Sequence, residues 1–307
     1  MSPTVSVIIP TYNRAARITR AIESVTQQTY GPMEIVVCDD GSTDEHIVRS
    51  NFPEVRYLKL EHSGLPSRVR NEGIRVAQGE LIAFLDSDDY WMPEKISLQV
   101  EAMGGKLGMS CSNAWRITPD DDRPGSPLLE AGRGSSGRVF RQLIRGNFVI
   151  NSTVLVTRDL IDRVGGLNED PALRGAEDYE LWLRIGLHTD VAYLPQPLAY
   201  YLEHPQSITG LNPRCLYLRS VIAALNRSKE EAHILGHRGE YDIEFDERIW
   251  SIQSSLLEGL IRDRKYSEAA RLSAEMLLVF PLQTTRLVMY IITHLERVQL
   301  THVTPPS

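Results

Sequence analysis

The feature that most constrains the fold is a repeated order of short apolar runs, polar clusters and helical patterns. Apolar runs occupy residues 5–9, 34–38, 55–60 and 80–85, and helical patterns occupy residues 13–28 and 66–77. Apolar runs of this length are typical of strands that are buried on both faces. We expect Pro10 to end the first strand, because proline cannot donate to a β-ladder. The order predicts an α/β fold with a mostly parallel sheet that is flanked by helices.

Three polar clusters follow the apolar runs directly. They lie at residues 11–14, 39–44 and 86–89. In open α/β sheets, ligands bind outside the carboxyl ends of the strands. The positions of these clusters therefore predict one binding site along a single edge of the sheet.

The remainder of the chain divides into a mixed segment and a helical one. We expect a loop at residues 119–137, a strand at 151–156, a helix at 176–187 and extended chain at 190–201. Amphipathic patterns then predict helices at residues 216–227, 245–262, 267–280 and 284–298. A boundary near Leu211 separates a domain at residues 1–211 from a helical extension at 212–307. That extension is interpreted as a packed cap, with a partner site, a homodimer contact and a peripheral membrane contact as alternatives.

Composition excludes several classes of protein. The net charge of -7 argues against a nucleic-acid-binding protein, which needs a basic surface. Cys38, Cys111 and Cys215 are far apart, which argues against a disulfide framework or a zinc site. We see no signal peptide and no apolar window long enough to span a membrane. The expected location is the cytoplasm, with any membrane contact peripheral and at the inner face.

Two clusters of carboxylates are candidates for binding chemistry. Asp86 and Asp88 follow an apolar strand, and carboxylates this close repel each other unless a cation or a proton lies between them. Mg²⁺ takes such oxygen ligands together with substrate phosphates. The alternative is a solvated acidic turn. Asp40 either caps the following helix or accepts hydrogen bonds from a nucleobase or a ribose.

Aromatic and basic residues of the first half permit similar alternatives. Tyr12 is a candidate to flank a nucleobase, with Arg14 nearby for phosphate, although the segment also reads as a helix cap. Arg70 is a candidate for a diphosphate, because arginine binds phosphate through paired hydrogen bonds.

The second half offers one more acidic pair and one histidine. Glu177 and Asp178 begin a predicted helix, where carboxylates are favoured in any case. Asp178 is nevertheless a candidate general base. Trp182 is a candidate to line a sugar site, with a place in the core as the alternative. His204 is a candidate ligand of a metal or a phosphate, with no functional role as the alternative.

The ordered set of motifs resembles the large family of inverting glycosyltransferases with a GT-A fold, often called family 2. The resemblance covers roughly residues 4–210. It rests on VSVIIPTYNR at residues 5–14, IVVCDDGSTD at 35–44, RNEG at 70–73, GELIAFLDSDDYWMPEK at 79–95 and GAEDYELWLR at 175–184.

The resemblance implies a role for each candidate residue and a Rossmann-like, GT-A-type sheet. It places Thr11, Tyr12 and Asp40 around the nucleobase and the ribose, and we expect Pro10, Arg14, Arg70, Asp86 and Ser87 to bind the nucleotide as well. Asp86 and Asp88 match the DXD motif, and His204 matches a histidine near the diphosphate, so the three are the expected ligands of Mn²⁺ or Mg²⁺. Asp178 matches the catalytic base, while Glu177 and Trp182 are expected at the acceptor.

The function that the resemblance implies is metal-assisted transfer of a single sugar with inversion. The donor is a nucleotide diphosphate sugar, with UDP favoured, and the acceptor is a saccharide or a lipid-linked sugar, as in polysaccharide biosynthesis. The QxxRW signature of processive members is absent from the sequence, which argues against polymerisation. A sugar nucleotidyltransferase and a non-catalytic scaffold that binds nucleotide sugars are the alternatives.

Overall fold

A computed structural model describes residues 2–119, 121, 123–204 and 214–300. For residues 45–47 and 292–300 it describes the backbone alone. The strands are β1 (Val5–Thr11), β2 (Met33–Asp39), β3 (Arg56–Lys59), β4 (Leu81–Phe84), β5 (Tyr90–Trp91), β6 (Met109–Ile117), β7 (Leu155–Thr157) and β8 (Val191–Leu202). They form one eight-stranded sheet in the order β3-β2-β1-β4-β7-β6-β8-β5.

Eleven helices accompany this sheet in the described residues. Those of the first two thirds are α1 (Ala15–Thr26), α2 (Glu45–Asn51), α3 (Pro66–Val76), α4 (Lys95–Met103), α5 (Phe140–Arg145), α6 (Arg158–Val164) and α7 (Glu177–Gly186). The C-terminal helices are α8 (Arg214–Ile234), α9 (Asp242–Arg262), α10 (Tyr266–Val279) and α11 (Pro281–Leu300). Short 3-10 turns occupy Asn151–Thr153 and Pro171–Leu173.

The first four strands in this sheet order are parallel, as the sequence predicted, and the remaining strands make the sheet mixed. β2 pairs with β3 and β1, and β1 pairs with β4, all in parallel. β7 runs antiparallel to both β4 and β6, and β5 runs antiparallel to β8. The fold class is confirmed, with parallel pairs in the slight majority and antiparallel pairs confined to those that include β5 or β7.

Pro10 does not end β1, so that prediction was wrong. β1 continues to Thr11, and Pro10 is opposite Cys38 in the parallel pairing with β2. The backbone of Ile8 bonds towards β4, since Ile8 O accepts from Leu85 N at 3.1 Å. Pro10 faces the same side, two residues further on, where β4 has already ended. No partner strand needs the N–H that proline lacks at this position.

Apolar residues cover both faces of the central strands. Ile8 belongs to the hydrophobic cluster on one face, and its neighbours Val7 and Ile9 belong to the cluster on the other. This follows from the alternation of side chains along a strand. α1 packs on the second face through Ile18 and Ile22 and is helical because its apolar residues recur at this spacing.

The helices of the C-terminal extension share the core of the sheet. Val221 and Leu225 of α8 and Phe245 of α9 belong to the same hydrophobic cluster as Ile8. A third cluster, around Leu256, joins α9 to α10 and α11. The predicted boundary at Leu211 lies outside the described residues and stays a prediction. No helix in the described parts of the chain is both long enough and apolar enough to cross a membrane.

Candidate functional site

The predicted polar clusters meet at one edge of the sheet. β1 ends at Thr11, which is buried, and its carbonyl accepts from the backbone N–H of Asp40 at 2.9 Å. β4 ends just before Asp86 on the other side of β1. The carboxyl ends of β1, β2 and β4 therefore bring residues 11–14, 39–44 and 86–89 together, as expected for parallel neighbours.

Asp40 uses both carboxylate oxygens to hold the loop that follows β3. One oxygen accepts from the backbone N–H and the hydroxyl of Ser63, at 2.8 and 2.9 Å. The other accepts from the N–H of Gly64 at 2.8 Å and lies 3.0 Å from Nδ1 of His62. A carboxylate offers about four such positions, so Asp40 is already well occupied by its own chain. Its predicted contact with the nucleotide stays a prediction.

The Asp40 loop brings an aromatic pair to the surface. The ring of His62 stacks on that of Tyr12, with centroids 4.2 Å apart and an interplanar angle of 20°. Tyr12 is 44% exposed, so the pair lies at the surface of the protein. A cavity of about 230 Å³ lies next to Asp40 and is lined by Asp40, Leu60, Glu61, Ser63, Arg68 and Glu72.

Each carboxylate of the acidic loop, residues 86–89 after β4, has its own partners. Asp86 accepts from Nη2 of Arg70 at 2.7 Å and from Nδ2 of Asn151 at 3.0 Å, both through Oδ1. Asp88 contacts Arg14 and lies 2.9 Å from Nε2 of His204. These partners neutralise carboxylates that would otherwise repel one another. Two of the predicted metal ligands, Asp88 and His204, are therefore in contact, and Arg14, predicted to bind phosphate, contacts the same carboxylate. The buried Ser87 lies between Asp86 and Asp88 in the chain.

Asp89, the last residue of the acidic loop, is buried, and its hydrogen bonds hold the loop against the neighbouring elements. It accepts from the hydroxyl of Ser152 at 2.6 Å and from the N–H of Leu202 at 3.0 Å. The hydroxyl of Ser152 also accepts from the N–H of Asp86 at 3.1 Å. Burial, with the nearby Asp88 and Asp86, holds the pKa of Asp89 well above its usual range. Through Ser152, the 3-10 turn Asn151–Thr153 is bonded to the acidic loop, and through Asp89 the loop is bonded to the end of β8, close to His204.

Arg70 is held deep in the site by two carboxylates. Besides Asp86 it donates to Oε1 of Glu177 at 3.1 Å, and only 5% of the residue is exposed. Burial by itself lowers the pKa of the guanidinium, but Asp86 and Glu177 raise it above its ordinary value. α3 can approach the sheet here because Gly73 has no side chain, and a Cβ there would lie 2.5 Å from Sγ of Cys38.

Asp178 lies half-buried in the first turn of α7, next to Glu177, which pairs with Arg70. Its carboxylate accepts from the N–H of Tyr179 at 2.7 Å. Burial and the neighbouring Glu177 raise the pKa of Asp178 to about 7, against the opposing effect of Arg70. A carboxylate with such a pKa is suited to accept a proton near neutral pH.

The residues of this edge offer ligands that suit Mn²⁺ or Mg²⁺ but no complete cage. Carboxylate oxygen and imidazole nitrogen are suitable chemistry, and Asp88 and His204 are already in contact. Among the described residues, no three acidic, histidine or cysteine side chains converge as a metal site. The protein would supply one or two ligands, which is the usual case for Mg²⁺ on a substrate diphosphate.

Two residues predicted at the acceptor have structural surroundings instead. Trp182 is 1% exposed and contacts Phe84 edge to face in the core, so a bound acceptor has no access to it. Helical spacing explains the error, because Trp182 lies one turn from Asp178 but faces the sheet. Glu177 is buried and accepts from Arg70 and from the N–H of Gly175, at 2.6 Å for the latter.

Sequence reasoning missed several residues that the structure brings to the site. Arg17 lies 2.9 Å from Nε2 of His204, and Asn151 and Ser152 contact the acidic loop. The position of Arg17 one turn after Arg14 was the one available signal. The sequence gave no signal that residues 151 and 152 belong to the site, because an apolar stretch nearby predicted a strand at 151–156. In the structure a 3-10 turn comes first, and β7 begins only at Leu155.

Comparisons with known proteins identify the family of this chain. The sequence profile described as Glycosyl transferase family 2 matches residues 6–165, just over half of the chain. An uncharacterized glycosyltransferase of Rickettsia bellii is 33% identical over 216 residues, which are 68% of this chain and 30% of that protein. The UDP-Glc:alpha-D-GlcNAc-diphosphoundecaprenol beta-1,3-glucosyltransferase WfaP of Escherichia coli is 34% identical over 59% of this chain and 69% of its own. The chain spans roughly a third of the length of the first curated relatives that it matches.

Solved structures share the fold at low sequence identity. S. aureus TarS 1-349 in complex with UDP-GlcNAc aligns with a TM-score of 0.58 and 17% identity, over 88% of both chains. The mannosyltransferase PcManGT of Pyrobaculum calidifontis, in complex with GDP-Man and Mn²⁺, aligns with a TM-score of 0.55 and 17% identity over 96% of this chain and 88% of its own. The predicted GT-A-type α/β fold with C-terminal helices is confirmed.

Proposed function

Because the chain belongs to glycosyl transferase family 2, we propose that it transfers a single sugar from a nucleotide diphosphate sugar, with UDP favoured, to a hydroxyl of a saccharide or lipid-linked acceptor. Asp178 carries this proposal, since its pKa of about 7 fits a general base. The names of the relatives support the substrates: WfaP acts on UDP-Glc and a diphosphoundecaprenol-linked sugar.

Different residues at this edge of the sheet bind the donor and activate the acceptor in this proposal. Tyr12 and His62 flank the nucleobase, and Arg14 and Arg17 bind the diphosphate. Arg70 positions Asp86 through Oδ1, and 30% of the Asp86 side chain is exposed and can reach the donor. Asp178 removes the proton of the acceptor hydroxyl while that oxygen attacks the anomeric carbon. A single displacement inverts this carbon and needs no covalent intermediate with the enzyme.

A divalent cation has a defined place in this proposal. Asp88, His204 and Asp86 would hold it, and it would supply positive charge where the leaving diphosphate becomes more negative. The TarS and PcManGT complexes support a nucleotide-sugar donor, and the latter contains Mn²⁺. The predicted cytoplasmic location with peripheral membrane contact remains part of the proposal.

A donor screen tests the proposed function. The protein is incubated with UDP-, GDP- and dTDP-sugars and Mn²⁺, with and without EDTA, and the released nucleotide is quantified. We expect release of nucleoside diphosphate from one donor, abolished by EDTA. Release of pyrophosphate would favour a sugar nucleotidyltransferase. Absence of nucleotide binding by calorimetry would favour the non-catalytic scaffold. Once an acceptor is found, the anomeric configuration of the product, read by NMR, tests inversion.

A further inference from the structure

The start of α8 lies against the segment that leads into Asp178. The hydroxyl of Ser220 donates to the carbonyl of Arg174 at 3.0 Å, four residues before Asp178. Tyr217 lies one turn earlier on the same face of α8 and is 36% exposed. Asp178 is close enough to Tyr217 to contribute to the rise in the pKa of its phenol, after burial. The first turns of α8 therefore border the candidate base.

α9 directs an arginine towards the same place. Arg248 lies one turn after Phe245 and one turn before Ile252, and both of these residues are buried on the core side of the helix. Arg248 is half-buried, and its Nε is buried with no hydrogen-bond partner in the described residues. Its charge acts on the phenols of both Tyr179 and Tyr217.

Two exposed arginines complete the group. Arg174 precedes α7, and Arg214 lies one turn before Tyr217 on α8. Within the described part of the chain, Arg174, Arg214 and Arg248 form no salt bridge. Carboxylates of the adjoining elements pair with other cations: Glu177 with Arg70, Asp170 with Arg227 and Asp246 with Lys229. The carboxylate of Asp178 offsets one of these charges, and the remaining excess of positive charge, in a chain of net charge -7, favours an anionic ligand.

We infer that Arg248, together with Arg174 and Arg214 on the elements that meet near Tyr217 and Asp178, forms an anion site that binds a phosphate group of the acceptor. This inference rests on the proposed function and narrows its acceptor to a phosphate-bearing molecule, such as a diphosphate-linked sugar. Guanidinium groups bind phosphate through paired, charge-assisted hydrogen bonds, and Arg248 is half-buried with no salt bridge in the described residues. The C-terminal helices would thus supply the acceptor side of the site.

The test titrates inorganic phosphate into the full chain, saturated with UDP and Mg²⁺, and follows arginine Nε–H signals by NMR. UDP occupies the donor side, so phosphate has to bind elsewhere. We expect saturable shifts of these signals. Arg248→Gln should weaken phosphate binding about tenfold, the effect of losing one charge-assisted hydrogen bond. Arg214→Gln should also weaken it, and since this side chain is exposed, the variant tests the site without risk to folding.

The matched control is Arg271→Gln, which removes an exposed arginine that pairs with Glu275 on α10. It should leave phosphate binding unchanged. No saturable shift, or equal affinity in the wild type and both site variants, would overturn the inference. Binding to phosphatidylglycerol vesicles that depends on Arg248, without binding of free phosphate, would overturn it in favour of a lipid headgroup. A chain that binds no UDP would contradict the proposed function instead, and the variants would still test the anion site.

Discussion

Four carboxylates near the end of β4 and the start of α7 differ in their surroundings and therefore in their chemistry. Asp86 and Asp88 each face a cation, Asp89 is enclosed by hydrogen-bond donors, and Asp178 is half-buried beside another acid. The same residue type can thus bind charge, brace a loop or accept a proton, since burial and neighbours set its pKa. The predictions at this scale concern Asp178.

Asp178→Asn removes the proposed base and preserves the shape of the side chain. We expect transfer to fall by about 10²- to 10⁴-fold, the usual contribution of a positioned base. The affinity for UDP should be unchanged, because the carboxylate is proposed to act on the acceptor. Calorimetry and initial rates separate the two effects. Asp162→Asn, on the exposed side of α6, is the control. Loss of UDP binding in a folded Asp178→Asn protein would contradict the assignment.

The pH dependence of transfer follows from the same pKa. The base acts when it is deprotonated, so kcat/KM should be constant well above pH 7 and fall tenfold for each unit below it. Rates measured between pH 5 and pH 9 test this expectation. A profile that is flat through pH 7, with donor binding intact, would exclude Asp178 as the titrating base.

The raised pKa also predicts a dependence of stability on pH. The unfolded chain would release the proton of Asp178 near pH 3.9, whereas the folded chain holds it until about pH 7. Protonation of Asp178 therefore favours the folded state, and this contribution is complete below about pH 4 and lost as the pH rises through 7. At pH 8.5, Asp178→Asn should raise Tm by roughly 2–4 °C per kcal/mol gained. At pH 4 the two proteins should melt alike.

At the scale of elements, the 3-10 turn Asn151–Thr153 holds the acidic loop against the sheet. Ser152 contacts Asp86 and Asp89 through its hydroxyl and Trp91 through its carbonyl, with Nε1 of Trp91 at 2.6 Å. The turn is followed by β7, which pairs with β4. A change in this turn is thus transmitted to the residues proposed to bind the diphosphate.

Ser152→Ala tests whether the hydrogen bonds of this hydroxyl hold the acidic loop in place. The change leaves the N–H of Asp86 and Oδ2 of Asp89 without the hydroxyl of Ser152, while Oδ1 of Asp89 keeps its bond from Leu202, at a cost of about 1–3 kcal/mol. We expect faster hydrogen exchange of the Asp86 amide and about tenfold weaker binding of UDP with Mn²⁺. Ser110→Ala is the matched control, because its buried hydroxyl has no hydrogen-bond partner in the described residues. Equal affinity for UDP in the two variants would limit Ser152 to a structural role.

At the scale of the whole molecule, the C-terminal helices are part of the core rather than an addition to it. Val221, Leu225 and Phe245 pack in the same cluster as the central strands. α10 and α11 instead pack on α9 around Leu256, in a separate cluster. Removal of α8 and α9 would therefore expose the sheet side of the core, whereas removal of α10 and α11 would expose the end of α9 and the side of α8 around Leu218 and Ile222.

Truncation at two positions tests this organisation. A protein that ends at Leu211 should lose its cooperative melting or aggregate, because it exposes apolar surface worth about 25 cal/mol per Å². A protein that ends at Arg264 should keep a cooperative transition at a lower Tm. Calorimetry of both against the full chain gives the comparison. Unchanged melting of the shorter protein would show that residues 1–211 fold by themselves.

The parallel arrangement of the first four strands and the place of the polar clusters could be predicted from the residues alone. Strands buried on both faces leave an unbroken apolar run, and parallel neighbours end at the same edge, so local pattern sufficed for Thr11, Asp40, Asp86 and Asp88. The family resemblance named the expected base, Asp178. Its role remains a prediction.

Contacts between distant segments decided the rest. β6 lies in a stretch whose polar residues gave no strand signal, and it forms because β7 and β8 pair with it. His62 reaches Tyr12 only because Asp40 folds the loop, and Trp182 faces the core because α7 packs that way. Hydrogen bonds and burial between residues far apart in the chain depend on how elements pack. No local pattern records them.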